Sequence, residues 1–215
     1  AARTFGPGQN VSTIAADLST SAGVRSCLEK ADEWGPVDVL VINTGGPTAG
    51  RSFELDEAAW TRAYEALLLY TKRMCEHFLP GMRERKWGRV VTITSYSVKE
   101  PIEHLVLSNV FRTGVTAYLK VLAKEVAADG VTVNSVLPGA YRTARYEQLL
   151  ENMAKRSGKD KETVASELIA QLPQRRFQNP SELGALVAFL ASEQASGITG
   201  AAIPADGGML HSLLS

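Results

Sequence analysis

Three short apolar runs, VDVLVINTGG, GRVVTITS and VTVNSVLPG, are separated by helical stretches too long for hairpin connections. That spacing constrains the chain more than any other feature. Strands joined by a tight turn pair antiparallel, whereas strands joined by a helix return in the same direction and pair parallel. The run VDVLVINTGG is continuously apolar and ends in glycines, as a parallel strand buried on both faces does. The segments between the runs read as helices. DEAAWTRAYEALLLYTKRMCEHFLPGM is expected to end at Pro80 and Gly81, and LSNVFRTGVTAYLKVLAKEVAADG to close on Gly130. Upstream, NVSTIAAD is a further strand candidate, followed by a polar helix, LSTSAGVRSCLEKADEWG. FGPGQN, with Pro7 between its glycines and no strand before it, reads as a helix-to-strand loop. Downstream come a charged helical region from Ala144 to Leu172 and a helix opened by a capping box at Asn179, Pro180 and Glu182. ITGAAIPADGG closes the chain as a strand and turn. The expectation is an α/β fold: a doubly wound parallel sheet of Rossmann type, in a single domain over residues 1–215.

Composition removes several function classes. The formal net charge is zero, and no charge block occupies one segment. Nucleic acid and anionic membrane are therefore not expected as main partners. No apolar run is long enough to span a bilayer. The two cysteines, Cys27 and Cys75, lie in no metal-like spacing and read as reduced thiols of a cytoplasmic protein.

In open parallel sheets ligands bind beyond the carboxyl ends of the strands. That rule singles out Asp17, Asn43 to Gly46, Ser95 to Ser97, and Pro138 to Thr143. In that order these residues resemble the short-chain dehydrogenase/reductase family. AADL resembles its adenine-contacting Asp-Leu, INTGG its Asn-Asn-Ala-Gly motif, and ITS the strand end that carries its catalytic serine. LPGAYRT resembles its nicotinamide-side loop, and ITGAAIPADGG its closing turn. The resemblance spans nearly the whole chain and is strongest to the bacterial 3-oxoacyl-acyl-carrier-protein reductase-like branch. It implies NAD or NADP as cofactor, held by Asp17, Leu18, Asn43, Gly45, Pro138, Gly139 and Thr143. It implies Ser95 as a catalytic residue, a small-molecule or acyl-carrier substrate, and a homodimer or homotetramer packed through its two most apolar helices. The family opens with a strand, a Gly-rich turn and a helix that holds the cofactor pyrophosphate. No such unit appears here, so the resemblance also implies a natural polypeptide that extends before Ala1.

The stretch SYSVKEPIEHLVLSNVFRTGV departs from the family. The family follows its serine with a tyrosine and, four residues later, a lysine; here those positions hold Ser108 and Arg112. The family's relay asparagine falls on Leu67. Carbonyl reduction needs a proton donor, and a tyrosine whose pKa is lowered by a lysine supplies one. An alkyl hydroxyl has no comparable acidity, and a guanidinium does not release its proton. Ser108 and Arg112 share one helix face, and with Ser95 they offer two hydroxyl donors and a fixed cation to one oxygen. A structural reading is equally open, with Ser108 as a helix cap and Arg112 as an ion-pair residue. Tyr141, in the loop after the Pro-Gly, Tyr96 and His104 are further candidates for the missing acid, though Tyr141 and Tyr96 read first as packing or loop residues and His104 as a solvated-loop histidine. Two functions stand at this point: an NAD(P)-dependent oxidoreductase with an altered proton path, or a non-catalytic relative that binds a ligand or serves in an assembly.

Overall fold

The computed structural model describes residues 10–212, so residues 5–9 of the FGPGQN loop lie outside it. Four strands form one parallel sheet in the order β1-β2-β3-β4: β1 Val39–Asn43, β2 Gly88–Ile93, β3 Val131–Pro138 and β4 Ala202–Ala205. The register sets Val41 opposite Val91, Val91 opposite Asn134, and Ser135 opposite Ala202. Side chains alternate across this sheet and divide the core in two. Leu40, Ile42, Val90, Val131 and Val133 face α1 (Ser21–Asp32), α3 (Tyr70–Glu84) and α4 (Val106–Val126). Val91, Val136 and Ile203 face α7 (Pro180–Leu190) on the other side. Helices thus cover both faces, as the strand–helix alternation predicts. Among the described residues no helix is long and apolar enough to cross a membrane.

Two expectations are corrected. NVSTIAAD forms no strand; residues 10–17 carry no sheet pairing. No described strand lies beside it, and an extended segment without a ladder partner is not a strand. The long helix does not stop at Pro80 and Gly81 but continues to Glu84. Pro80 lies on the exposed side, where the carbonyl left without its helical donor is open to water. The same helix is also not uniform. It runs as α2 (Glu57–Ala63), a π-helical segment Tyr64–Leu69, and α3. π segments widen the helix by one residue per turn and occur often beside functional sites.

The remaining elements follow their sequence signals. Thr20, Asp56, Thr143 and Asp160 cap α1, α2, α5 (Ala144–Ser157) and α6 (Lys161–Gln171) by accepting a backbone N–H. The expected capping box opens α7 at Asn179. Trp60 packs edge-on against Phe111, with centroids 5.8 Å apart, and is a packing residue. At the amino end of the sheet Arg89 is 2% exposed. Its guanidinium donates to the carbonyls of Ser192, Gly88 and Gly130 and stacks on Trp87 at 4.4 Å. Cys27 and Cys75 are both free, and burial pushes the Cys75 thiol up to about 12, which leaves it unreactive.

Gly130 turns the chain from α4 into β3 at φ 72°, and a Cβ there would lie 2.3 Å from the Lys86 carbonyl oxygen. Gly130→Ala is expected to destabilise the fold by more than the ~1–2 kcal/mol of a left-handed alanine, because the carbonyl must also move. A thermal melt checks this; an unchanged midpoint would contradict the fold described here.

Candidate functional site

The carboxyl ends of all four strands lie along one edge of the sheet, and Asn43 to Gly46, Ser95 to Ser97 and Pro138 to Thr143 follow three of them, whereas Asp17 follows no strand. Beyond β1 the turn Asn43–Gly46 borders an open cleft of about 380 Å³, lined also by Leu18, Ser19 and Leu67. A Cβ built on Gly45 would meet nothing within 4 Å, so this backbone presents a bare face to the cleft. The opposite wall is built from Ala59, Ala63 and Ala66, one small-residue stripe along α2 and the π segment. Leu18 reaches the cleft, but Asp17 is turned elsewhere. Its carboxylate accepts from the Ser19 N–H at 3.0 Å and the Ser19 hydroxyl at 2.6 Å, and these bonds hold its pKa below the ordinary carboxylate value.

Beyond β2, Ser95 opens a short 3₁₀ turn, Tyr96–Val98, and its Oγ accepts from the Ser97 N–H at 3.1 Å. The Ser95 hydroxyl proton is left to give to another acceptor. The turn packs against the first half of α4. There the cap reading of Ser108 is corrected: Leu105 is the cap residue, and Ser108 is buried inside the first turn. Arg112, one turn further on the same face, is 8% exposed. One of its terminal nitrogens donates to Ile93 O at 3.1 Å and Thr94 O at 3.0 Å, and the other to Gly45 O at 3.3 Å. The expected cation is therefore in place, but these donors point at backbone.

Beyond β3 and β4 the predicted loop residues have structural partners. The Gly139 N–H donates to Ala205 O at 3.2 Å, and a Cβ on Gly139 would fall 2.7 Å from the Asp206 Cα. Pro138 ends β3 beside Ala205. Thr143 caps α5. Tyr141 donates its hydroxyl to Ala205 O at 2.9 Å, and burial raises its pKa. Burial raises Tyr70, Tyr96, Tyr118 and Tyr146 as well, Tyr146 to about 12. None of these five phenols is tuned toward acidity. His104 is exposed, in a left-handed conformation at φ 59°, and its Nδ1 accepts from Arg51 Nε at 3.3 Å.

A glycine-faced cleft and a serine turn thus lie at adjacent strand ends, where open parallel sheets bind their ligands. A family model described as enoyl-(acyl carrier protein) reductase matches residues 2–210. The 3-oxoacyl-[acyl-carrier-protein] reductase FabG of Vibrio cholerae is 31% identical over 94% of this chain and 79% of its own length. The NADPH-dependent reductase BacG of Bacillus subtilis is 30% identical over 96% of this chain and 80% of its own. Among solved structures, a variant of the actinorhodin polyketide ketoreductase with NADPH superposes with a TM-score of 0.85. It is 30% identical and covers 92% of this chain and 77% of that one. The chain belongs to the short-chain dehydrogenase/reductase family, and it is an NAD(P)-dependent oxidoreductase.

Sequence reasoning missed the alanine wall of the cleft, although Ala59, Ala63 and Ala66 lie at helical spacing. It also missed the strap that holds the Pro138–Thr143 loop. Gln178 pairs with this loop through Gln178 N to Ala140 O and Arg142 N to Gln178 O. Arg176 grips Glu182 through two hydrogen bonds of 2.8 and 2.7 Å just behind it. Arg176 and the Asn179 N–H hold the Glu182 carboxyl at about 2, against an ordinary 4.5. A depressed carboxyl contributes stability above its unfolded value, and that contribution is lost as pH falls through the folded one. A carboxyl-carbon NMR titration is expected to place Glu182 near 2, and Arg176→Ala to return it toward 4.5. A Glu182 midpoint near 4.5 in the unaltered protein would refute the strap.

Proposed function

We propose that this chain interconverts a carbonyl and a hydroxyl on a small-molecule or acyl-carrier substrate, with the nucleotide in the Gly45 cleft and the reacting oxygen at Ser95. The observation that carries the reading is the adjacency of the two. The glycine turn and the serine turn leave neighbouring strands whose last paired residues are Asn43 and Ile93. The cleft fits a nucleotide in its chemistry: a bare glycine backbone, the small alanines of α2 and the π segment, the polar groups of Ser19, Asn43 and Thr44, and the Arg62 cation all line it. NADH or NADPH supplies the hydride when bound. Leu18, Asn43, Gly45, Pro138, Gly139 and Thr143 would line its path, with Asp17 at the adenine end.

The chain's own residues act on the substrate oxygen. Ser95 Oγ accepts from the Ser97 N–H, which anchors the oxygen and leaves its own proton to donate. Ser108, on α4 beside the turn, supplies a second hydroxyl. Two oriented donors stabilise the charge that builds on that oxygen without giving up a proton. With the resolved phenols raised and Tyr141 committed to Ala205 O, the proton comes from solvent. An assembly of copies is supported by α4, whose outer face leaves Val110, Ala117 and Val121 exposed at helical spacing.

Turnover of a ketone and 3-oxoacyl panel with NADH and NADPH tests the reading. Ser95→Ala is expected to lower kcat about 10²–10³-fold, as the loss of one oxyanion donor does. Gly45→Val is expected to leave the melting midpoint nearly unchanged, because its Cβ meets nothing, while weakening nucleotide binding about tenfold or more. Full activity in Ser95→Ala, or no nucleotide binding by the full-length protein, would overturn the proposal.

A further inference from the structure

β1 and β2 are paired through Asn43 and Ile93, and no ladder pairing continues beyond them. Past that point one chain turns through Thr44–Gly46 and the other through Thr94–Ser95. Two turns therefore leave adjacent strands where the pairing between those two strands has stopped, although Thr94 still donates its N–H to Val136 O on β3 at 2.9 Å. The Arg112 guanidinium lies between them. One terminal nitrogen serves the β2 side, at Ile93 O and Thr94 O, and the other serves the β1 side, at Gly45 O. Backbone carbonyl dipoles stabilise the buried charge here, as buried charge requires.

We propose that Arg112 is a positioning residue: its planar fork couples the glycine turn to the serine turn, and its charge stays on backbone instead of meeting substrate or nucleotide. The inference deepens the function proposed above and rests on it only for the consequence in binding. It predicts that the lysine the family carries at this position would not bridge the two turns in this chain. A lysine ammonium is a single nitrogen and a point charge, whereas the guanidinium presents two nitrogens in a fixed plane. One arm reaches each turn only because the fork has that width. The front of the Gly45 turn borders the cleft while its carbonyl is held from behind.

Arg112→Lys keeps the charge and removes one arm. In the ligand-free full-length protein, hydrogen exchange at residues 44–46 and 95–97 is expected to rise about tenfold or more together, the scale of one charge-assisted hydrogen bond. The NADPH dissociation constant of the folded variant, read by nicotinamide fluorescence, is expected to rise by a similar factor. A purely structural role would lower the melting midpoint and leave that constant alone. Unchanged exchange in either turn, or an unchanged constant, overturns the proposal. Nitrogen NMR of the unaltered protein tests it independently of how the variant folds. Arg112 is expected to show distinct, slowly rotating terminal nitrogens that keep their shifts when NADPH is added. Averaged signals, or signals that move with NADPH, overturn it. If the unaltered protein does not bind NADPH, the function proposed above fails, while exchange and the free-state nitrogen signals still decide the coupling.

Discussion

A parallel sheet ends all its strands at one edge, and backbone pairing stops there before the chain has finished building its site. Each strand must then hand its chain to a loop whose carbonyls and N–H groups need partners. In this protein Arg112 meets that need between β1 and β2, with hydrogen bonds to Ile93, Thr94 and Gly45. The same device occurs at the opposite edge, where Arg89 takes the carbonyls of Gly88, Gly130 and Ser192. At both edges a buried guanidinium gathers carbonyls that the ladder leaves behind. At the carboxyl edge one of those carbonyls, Gly45 O, belongs to a turn that lines a cleft.

Beyond β3 and β4 the solution is different. Gly139 lets its backbone approach Asp206, Tyr141 bonds to Ala205 O, and Gln178 holds the loop by a two-bond bridge. Asp206 in turn accepts from the N–H groups of Gly208 and Leu210 and fixes the closing turn. The result is a site with a firm frame and a sparse set of side chains free to react. In the function proposed above Ser95 and Ser108 act on the substrate oxygen, and burial raises the phenols of Tyr70, Tyr96, Tyr118, Tyr141 and Tyr146. That combination suits a reductase that stabilises developing charge and takes its proton from water.

Much of this was legible in the sequence. Three short apolar runs with long helical spacers set the parallel sheet, and the Asn179–Glu182 capping box and Gly130 stop fall where their chemistry puts them. The residues at the strand ends were also found, because the rule that selects them depends only on topology. What was not legible is direction. Nothing in a sequence says that Arg112 points back at backbone, that Tyr141 is committed to Ala205 O, or that Ser108 is buried one turn past the cap. NVSTIAAD failed for a related reason: a strand is defined by its neighbour, and none of the described strands lies beside it. Pro80 misled because a proline inside a helix can be accommodated at an exposed position, and here the helix runs on to Glu84.

The central claim is that the cation at the heart of the site serves the scaffold and not the ligand. A crystal structure of the full-length protein with NADPH tests it most directly. The account predicts a nucleotide along the Gly45 cleft and Arg112 still bonded to the carbonyls of Gly45, Ile93 and Thr94. An Arg112 side chain turned away from those carbonyls onto the nucleotide or a substrate oxygen would contradict it.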